Sequence, residues 1–301
     1  MSDVRAPGVT VQAPAKVNLS LRVHGRRADG YHELTSLVAF ADLGDELRVS
    51  PSKDFALEVD GASAASIDGE NLIARAASLL RTRFPSIAVG QVHLEKRLPV
   101  GAGLGGGSAD VAAYLRAVRT LNADNSHVSS WSNSDWSAIA LELGADVPVC
   151  LHGESTWMCG IGERLIPLAT PLPPTHIVLV NPNIMVPTGP VFAALDAQPL
   201  DAPPALPPAH FELADLTNDL ELPALQVAPG IAAARDALER ASAVRAVRMS
   251  GSGATYFGVF LDRETAAAAA AQLRAQHPDW WIEAATLGAA KVAVRSFSSH
   301  G

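Results

Sequence analysis

A glycine-rich turn lies in the first half of the chain, where Pro99 to Ser108 read Pro-Val-Gly-Ala-Gly-Leu-Gly-Gly-Gly-Ser, with five glycines among residues 101–107. Glycine adopts positive φ angles without steric cost, so such a turn can direct successive backbone N–H groups at one anion. Apolar residues then recur at helical spacing from Ser108 to Leu121, and the N-terminus of a helix attracts negative charge. The segment therefore predicts a loop that binds phosphate groups.

The same glycines admit two weaker interpretations. A plain flexible turn would need fewer of them. Gly101, Gly103 and Gly106 also match the dinucleotide-binding pattern Gly-x-Gly-x-x-Gly, with Asp124 as a downstream acid. However, Pro99 separates the preceding strand from the glycines, and Asp124 lies in a polar loop. A nicotinamide or flavin oxidoreductase is therefore kept as a minor alternative, and a Walker loop is absent because no Gly-Lys-Ser/Thr closes the turn.

Length and charge limit the classes of function. The chain has 301 residues, which predicts two domains, and the composition shift near residue 165 places them at 1–164 and 165–301. Hydrophobic residues make up 48% of the chain and charged residues 18%, which fits a globular protein. The net charge of −8 argues against non-specific nucleic-acid binding but leaves room for a basic pocket with an anionic small ligand.

The N-terminal residues, Met1 to Pro14, lack the apolar core of a signal peptide. The longest stretch without Asp, Glu, Lys or Arg, Leu165 to Leu195, contains seven prolines, which argues against a membrane-spanning helix. We therefore expect a soluble, cytoplasmic protein without a membrane partner. The two cysteines, Cys150 and Cys159, cannot form a disulfide framework or a zinc site, so core or free thiols are expected.

Polar and apolar residues alternate along a predicted strand near the N-terminus. Lys16, Asn18 and Ser20 share one face and alternate with Val17, Leu19 and Leu21, which predicts a half-buried strand. Helices are predicted at 71–83, 108–121, 134–143, 230–241 and 264–276, and a surface loop at the proline-rich segment 199–208.

Two further segments are ambiguous when taken alone. Asp146 follows Gly144 and precedes Val147-Pro148-Val149, so it is placed at a helix-to-strand junction, where an aspartate is more often a turn residue than a base. Residues 250–255, Ser-Gly-Ser-Gly-Ala-Thr, precede an apolar strand. They predict either a close backbone approach to a ligand or a simple hairpin turn.

Together these segments resemble the GHMP kinase family over most of the chain, from about Ala13 to Phe260. The resemblance rests on seven segments: Ala13–Leu19, Arg27–Glu33, Asp68–Ile73, Leu98–Ser108, Leu143–Pro148, Gly160–Glu163 and Met249–Ala254. It implies a two-domain α+β GHMP kinase fold, with ATP and substrate meeting in the cleft between an N-terminal ATP-binding domain and a C-terminal substrate domain.

The resemblance also implies roles for individual residues. Asp146 would take the proton from the substrate hydroxyl, with Lys16 beside it as the second catalytic residue. Asn71 would lie near the adenine, and the remaining ATP-binding residues would be Pro99, Val100, Gly101, Ala102, Gly103, Leu104, Gly105, Gly106, Gly107, Ser108 and Ala109.

Magnesium is expected with the ATP. Members of the family generally carry two serines after Gly-Leu-Gly, one of which can hold Mg²⁺. This chain has Gly106 and Gly107 there, and its hydroxyl comes one step later, at Ser108. No protein ligand for the metal is therefore assigned, and the ATP phosphates and water would carry it.

The segment Asp29-Gly30-Tyr31-His32 is similar to one subgroup of the family, which phosphorylates the 2-hydroxyl of a cytidine diphosphate sugar alcohol on the methylerythritol phosphate route to isoprenoid precursors. It implies that Tyr31 and His32 recognise the cytidine, Asn18 contacts the sugar alcohol, and Thr188 lies near Lys16 and Asp146. A kinase for another small alcohol would not need Tyr31 and His32, and this alternative stays open. A monomer or homodimer is expected.

Overall fold

The computed structural model describes residues 7–64, 71–196, 207–208, 211–212, 216–288 and 292–297. Within these ranges the chain forms a mixed sheet with helices packed against it, which confirms the predicted α+β class. The strands are β1 (Gly8–Arg26), β2 (His32–Ser50), β3 (Ala56–Asp60), β4 (Gln91–Glu95), β5 (Thr156–Gly160), β6 (Arg164–Pro167), β7 (Thr175–Asn181), β8 (Ala246–Met249), β9 (Tyr256–Phe260), β10 (Trp281–Leu287) and β11 (Val294–Phe297). The helices are α1 (Leu72–Arg83), α2 (Gly106–Leu121), α3 (Ser126–Ser129), α4 (Asn133–Leu143), α5 (Val147–His152), α6 (Thr188–Leu195), α7 (Glu221–Val227), α8 (Ala232–Glu239) and α9 (Arg263–Gln276).

The two long strands β1 and β2 form the centre of the sheet. They pair antiparallel, and three register shifts along the pair allow the ribbon to bend and twist. One end of β2 pairs with β5 and the other end with β4, while Ala41 in its middle pairs with Leu287 of β10. The sheet therefore continues into the C-terminal half in the order β11-β1-β2-β10-β7-β9-β8.

The alternating strand near the N-terminus is part of β1, but the prediction that it is half buried is wrong. Lys16, Asn18 and Ser20 are buried like the apolar residues between them. Segments distant in sequence cover this face: the Leu104 carbonyl accepts a hydrogen bond from the Lys16 backbone at 2.8 Å, and the Ser250 hydroxyl accepts one from the Asn18 backbone at 3.1 Å. Buried polar groups need hydrogen-bond partners, so the polar side chains on this face of β1 differ from those of an ordinary strand face exposed to solvent.

Most predicted helices are present, with local capping signals at their ends. Asn71 caps α1 because its side chain accepts a hydrogen bond from the Ile73 backbone, and α4 ends at Gly144 as predicted. The predicted helix at 230–241 is shorter, since a 3-10 turn at Pro229–Ile231 precedes α8. The strand predicted at 147–149 is wrong, because these residues begin α5. Pro148 lies in the first turn of that helix, where its missing N–H costs no hydrogen bond within the helix.

Three hydrophobic clusters hold the layers together. One lies where α1, α2 and α4 pack against β1, β2 and β4, and a second lies among α6 to α9 and β7 to β9. A third joins the halves, because it contains Leu19 of β1, Leu104, and Phe257 of β9. The domain boundary at 164/165 stays a prediction, and β6 crosses it.

The uncharged stretch from Leu165 to Leu195 contains β7 and α6 rather than one long helix. In the ranges given above, none of the helices has the length and apolar character needed to cross a membrane. Residues 68–70 of the resemblance and residues 199–206 of the predicted proline-rich loop lie outside the described residues.

Candidate active site

A cavity of about 770 Å³ opens where the N-terminal and C-terminal halves meet. Its walls come from β1, the glycine turn (residues 101–107), the start of α5, the helix α6 and the loop around Gly251. Of the residues predicted to act in catalysis or substrate binding, all line it: Lys16, Asn18, Tyr31, His32, Asp146 and Thr188. The fold therefore brings together side chains that lie far apart in the sequence.

The glycine turn has the backbone geometry of an anion-binding loop. Gly101, Gly103 and Gly105 have φ angles of 65°, 74° and 64°, in the left-handed region that favours glycine. Gly105 is the N-cap of α2, and the first turn of that helix carries no acidic residue and no side-chain cap. Gly105, Gly106, Gly107 and Ser108 line the cavity, so it borders the helix start, where the first N–H groups have no partner within the helix.

Lys16 and Asp146 form an ion pair on the cavity wall. The Lys16 Nζ lies 2.8 Å from Asp146 Oδ2, although 130 residues separate them. The lysine side chain is 4% exposed, whereas that of Asp146 is 37% exposed. Asp146 is the N-cap of α5, but its side chain makes no capping hydrogen bond, so the carboxylate is available to Lys16 and to the cavity. The lysine side chain also passes close to the glycine turn, because a Cβ atom built on Gly105 would lie 3.1 Å from Lys16 Cε.

Asn18 presents a free acceptor close to this pair. The residue is 1% exposed, and its Nδ2 donates to Ser36 Oγ at 2.7 Å. Its Oδ1 has no hydrogen-bond partner among the described residues. A buried amide oxygen without a partner on a cavity wall suits a ligand hydroxyl, because an unsatisfied buried acceptor is costly.

Residues 250–253, called here the serine–glycine turn, pack against the glycine turn. Ser250 Oγ donates to the Gly103 carbonyl at 2.9 Å, and Thr255 N donates to the Ala102 carbonyl at 3.2 Å. Gly251 and Ser252 line the cavity, and Ser252 Oγ lies 2.9 Å from Thr188 Oγ1. Residues 250–255 connect the antiparallel strands β8 and β9, so they form a hairpin turn that also packs against the glycine turn. Their close approach to a ligand stays a prediction.

His32 and Tyr31 line the cavity together with the far end of α6. The His32 ring stacks on Phe192 at 4.5 Å between ring centroids, and its Nε2 lies 2.6 Å from Asp196 Oδ1. Tyr31 is 54% exposed. Sequence reasoning missed Phe192 and Asp196, although Thr188, Phe192 and Asp196 recur at the spacing of one helical face.

Some residues predicted to bind ATP do not line the cavity: Asn71, Pro99, Val100, Leu104 and Ala109. Asn71 caps α1, and its neighbour Leu72 lines the cavity instead. Leu104 and Ala109 are buried in the hydrophobic clusters. Their contact with ATP stays a prediction.

Cys150 and Cys159 are buried free thiols, as expected. Burial raises the pKa of the Cys150 thiol to about 12, so it stays protonated at neutral pH. Among the described residues, no group of three or more His, Cys, Asp or Glu side chains could hold a metal ion.

Two family models match the chain, one in each half. Residues 71–154 match the GHMP kinases N terminal domain, and residues 208–279 match the GHMP kinases C terminal domain. The chain belongs to the GHMP kinase family. Membership confirms the predicted fold and makes the chain an ATP-dependent small-molecule kinase, so the oxidoreductase alternative is discarded.

Two relatives and one solved structure carry the same kinase name. The chain is 49% identical to a 4-diphosphocytidyl-2-C-methyl-D-erythritol kinase of Methylobacterium radiotolerans, over 90% of this chain and 96% of the relative. It is 45% identical to the kinase of that name from Bradyrhizobium sp. (strain ORS 278), over 92% of this chain and 96% of the relative. A crystal structure of 4-(cytidine 5'-diphospho)-2C-methyl-D-erythritol kinase superposes with a TM-score of 0.75 at 39% identity, covering 93% of this chain and 100% of the other.

Proposed function

We propose that the chain transfers the γ-phosphoryl group of ATP to the 2-hydroxyl of 4-diphosphocytidyl-2-C-methyl-D-erythritol, giving the 2-phosphate and ADP on the methylerythritol phosphate route to isoprenoid precursors. The observation that carries this proposal is the Lys16–Asp146 pair, with its 2.8 Å contact, beside the glycine turn in one cavity. Relatives named for a kinase of this substrate, 45% and 49% identical over nearly the whole chain, support the choice of substrate.

Asp146 is the base of the proposed transfer. Its carboxylate faces the cavity and takes the proton of the substrate 2-hydroxyl as the hydroxyl oxygen bonds to the γ-phosphorus. The bond between that phosphorus and the β–γ bridging oxygen breaks, and the electron pair leaves with ADP. Lys16 holds the carboxylate at 2.8 Å and places a positive charge near the transferring group. Phosphoryl transfer needs mainly this positioning and charge stabilisation.

The glycine turn and the start of α2 bind the nucleotide phosphates. Backbone N–H groups at Gly105 to Ser108 meet the phosphates without a side chain in the way, and the helix end adds partial positive charge. We propose that Mg²⁺ enters on the ATP phosphates and keeps most of its water, which suits its slow dehydration. It would neutralise phosphate charge when bound, and Ser108 and Asp146 are two of the oxygen-bearing side chains on the cavity wall that could contact it.

The other end of the cavity binds the cytidine. The exposed ring of Tyr31 and the His32–Phe192 stack offer apolar ring faces to a base, and His32 offers a hydrogen-bonding ring nitrogen. Asn18 Oδ1 accepts a hydrogen bond from the sugar alcohol, and Thr188 lies at the start of α6 on the same wall. The substrate then extends from the ion pair to His32.

The test is ADP release from Mg–ATP with 4-diphosphocytidyl-2-C-methyl-D-erythritol, mevalonate, homoserine or galactose as the acceptor. We expect turnover only with the cytidine compound. His32→Ala should raise its KM by about tenfold, the equivalent of one lost hydrogen bond and ring contact, with KM for ATP unchanged. His277→Ala, which alters a histidine stacked on Trp280 outside the cavity lining, is the control. Turnover on another alcohol would refute the substrate, although the family assignment would stand.

A further inference from the structure

Three charged side chains lie in the protein interior beneath the glycine turn. Asp45 at the bend of β2, Lys96 after β4 and Asp110 in α2 are all buried. Lys96 Nζ donates to Asp110 Oδ2 at 2.7 Å and also to Asp45 Oδ2. We call this group the buried charge cluster. None of its members lines the cavity, and none takes part in the transfer proposed above.

The buried charge cluster connects both ends of the glycine turn. Asp45 Oδ1 accepts hydrogen bonds from the backbones of Arg97 and Leu98, at 2.6 Å and 2.8 Å, immediately before the turn. Asp110 lies one helical turn after Gly106, the first residue of α2. A bridge from Asp45 through Lys96 to Asp110 therefore fixes the entry to the turn relative to its exit.

The cluster is also close to the helix start that faces the cavity. A Cβ atom built on Gly106 would lie 3.5 Å from Lys96 Nζ and 3.8 Å from Asp45 Oδ2. Gly106 itself lines the cavity, so the cluster lies directly behind this part of the cavity wall.

The buried charge cluster is poorly explained by a contribution to the stability of the fold alone. Asp110 Oδ1 is buried and has no hydrogen-bond partner among the described residues. Burial raises the pKa of Asp110 despite the attraction of Lys96, which shows that the site is costly for a carboxylate. Apolar side chains often replace buried ion groups without loss of stability, so a contribution to position is the better account.

We propose that Lys96, held between Asp45 and Asp110, is a positioning residue that sets the glycine turn and the start of α2 for nucleotide phosphates. The inference rests on nucleotide binding, which the chain's family shares, and not on the identity of the phosphate acceptor. Lys96 acts through the backbone of the turn and does not contact the nucleotide through its ammonium group.

The test is the affinity of ADP, measured by calorimetry for Lys96→Met and for Lys96→Met combined with Asp110→Leu. Of the two carboxylates that lose their cation, the double variant also removes that of Asp110, while Asp45 keeps its two backbone donors. We expect a tenfold or greater loss of ADP affinity in both variants, since about 1 Å of misplacement can have such effects. Arg97→Met, which removes an exposed neighbouring cation paired with Glu95, should bind ADP normally.

The acceptor is titrated separately into the same proteins. 4-Diphosphocytidyl-2-C-methyl-D-erythritol should bind all of them equally, and failure to bind the unaltered chain would count against the proposed function alone. ADP affinity restored in the double variant, or unchanged in both, would overturn the positioning role. In the unaltered chain, the ¹³Cε signal of Lys96 should shift when ADP binds. An unshifted signal would also overturn it, even if the variants do not fold.

Discussion

The Asp146 carboxylate makes no hydrogen bond to the short helix α5, which begins directly after it. An aspartate at an N-cap usually accepts a hydrogen bond from the helix backbone, but Asp146 makes none. Its Oδ2 contacts Lys16 instead. The proline in the first turn of α5 removes one N–H donor that would otherwise need a partner, so the carboxylate can serve the cavity.

For this single residue, we predict that Asp146→Asn abolishes most of the turnover. Loss of a general base should lower kcat by about 100- to 10,000-fold, because the amide cannot take the hydroxyl proton. The affinity for ADP should stay within about twofold, since in the proposed function the backbone of the glycine turn, and not Asp146, binds the phosphates. Steady-state kinetics and calorimetry measure the two effects. Asp236→Asn, at an exposed aspartate paired with Arg235, is the control, and a wild-type kcat in Asp146→Asn would refute the base.

At the scale of elements, the two glycine-containing turns depend on each other. A Cβ atom on Gly103 would lie 2.4 Å from the Ser250 carbonyl, and its φ is positive as well. Gly107 has an ordinary φ, and the nearest atom to its Cβ position is Leu72 Cδ1 at 3.7 Å. The two positions therefore differ in what a methyl group would displace.

We predict that Gly103→Ala separates the two turns and Gly107→Ala does not. The positive φ alone costs about 1–2 kcal/mol for a non-glycine residue, and the contact with Ser250 adds to it. Gly103→Ala should show a lower free energy of unfolding in urea and a weaker affinity for ADP. Gly107→Ala is the matched control and should retain its stability. Equal stability of the two variants would contradict this account.

A second contact between elements joins α2, which follows the glycine turn, to α5, which follows Asp146. Arg116 of α2 donates from Nη2 to the carbonyls of Cys150 and Leu151, at 2.6 Å and 2.8 Å, near the end of α5. Burial lowers the pKa of Arg116 to about 10, so it remains charged at neutral pH. Its charge suits the negative end of a helix.

We predict that Arg116→Met destabilises the protein and lowers kcat more than it weakens ADP binding. The carbonyls of Cys150 and Leu151 would lose their donor, a loss of about 1–3 kcal/mol for buried groups. Urea denaturation and steady-state kinetics measure the changes. Arg119→Met, three residues further along α2 and bonded to Asn133, is the control and should change neither quantity. An unaltered kcat in Arg116→Met would show that α5 keeps its position without Arg116.

Local and distant signals differ in how far the sequence predicts them. The glycine turn and α2 follow from adjacent residues, so their prediction holds. Pro148 between two valines suits a strand edge as well as a first helical turn, and only packing distinguishes the two. Without the family resemblance, nothing in the sequence brings Lys16 to Asp146, and Phe192 looks like any apolar residue of a helix.

Across the described residues, one sheet runs through both halves of the molecule, and the cavity lies where the halves meet. The hydrophobic cluster that contains Leu19, Leu104 and Phe257 draws on both halves and on the glycine turn. The serine–glycine turn likewise joins the two halves, because Ser250 Oγ donates to the Gly103 carbonyl. The sequence predicts two domains, but it does not reveal that β2 pairs with strands on both sides of the boundary.

We therefore predict a single cooperative unfolding transition that ADP shifts as a whole. Tryptophan fluorescence, from residues in both halves, should coincide with circular dichroism. ADP at a hundred times its Kd should add about 2.7 kcal/mol to the free energy of unfolding, and inorganic phosphate at the same concentration much less. Two separate transitions, of which ADP moves only one, would show that the halves fold independently.

The helix α6 has a consequence for which acceptors can react. Its cavity face extends from Thr188 to Asp196, and eight residues at 1.5 Å per residue give about 12 Å. In the proposed function the base of the acceptor binds at His32 and its reactive hydroxyl lies at Asp146, both on the wall of the same cavity. The length of the acceptor molecule then determines whether it reacts. An acceptor one carbon shorter or longer would bind its base equally well but place the wrong atom next to the phosphorus.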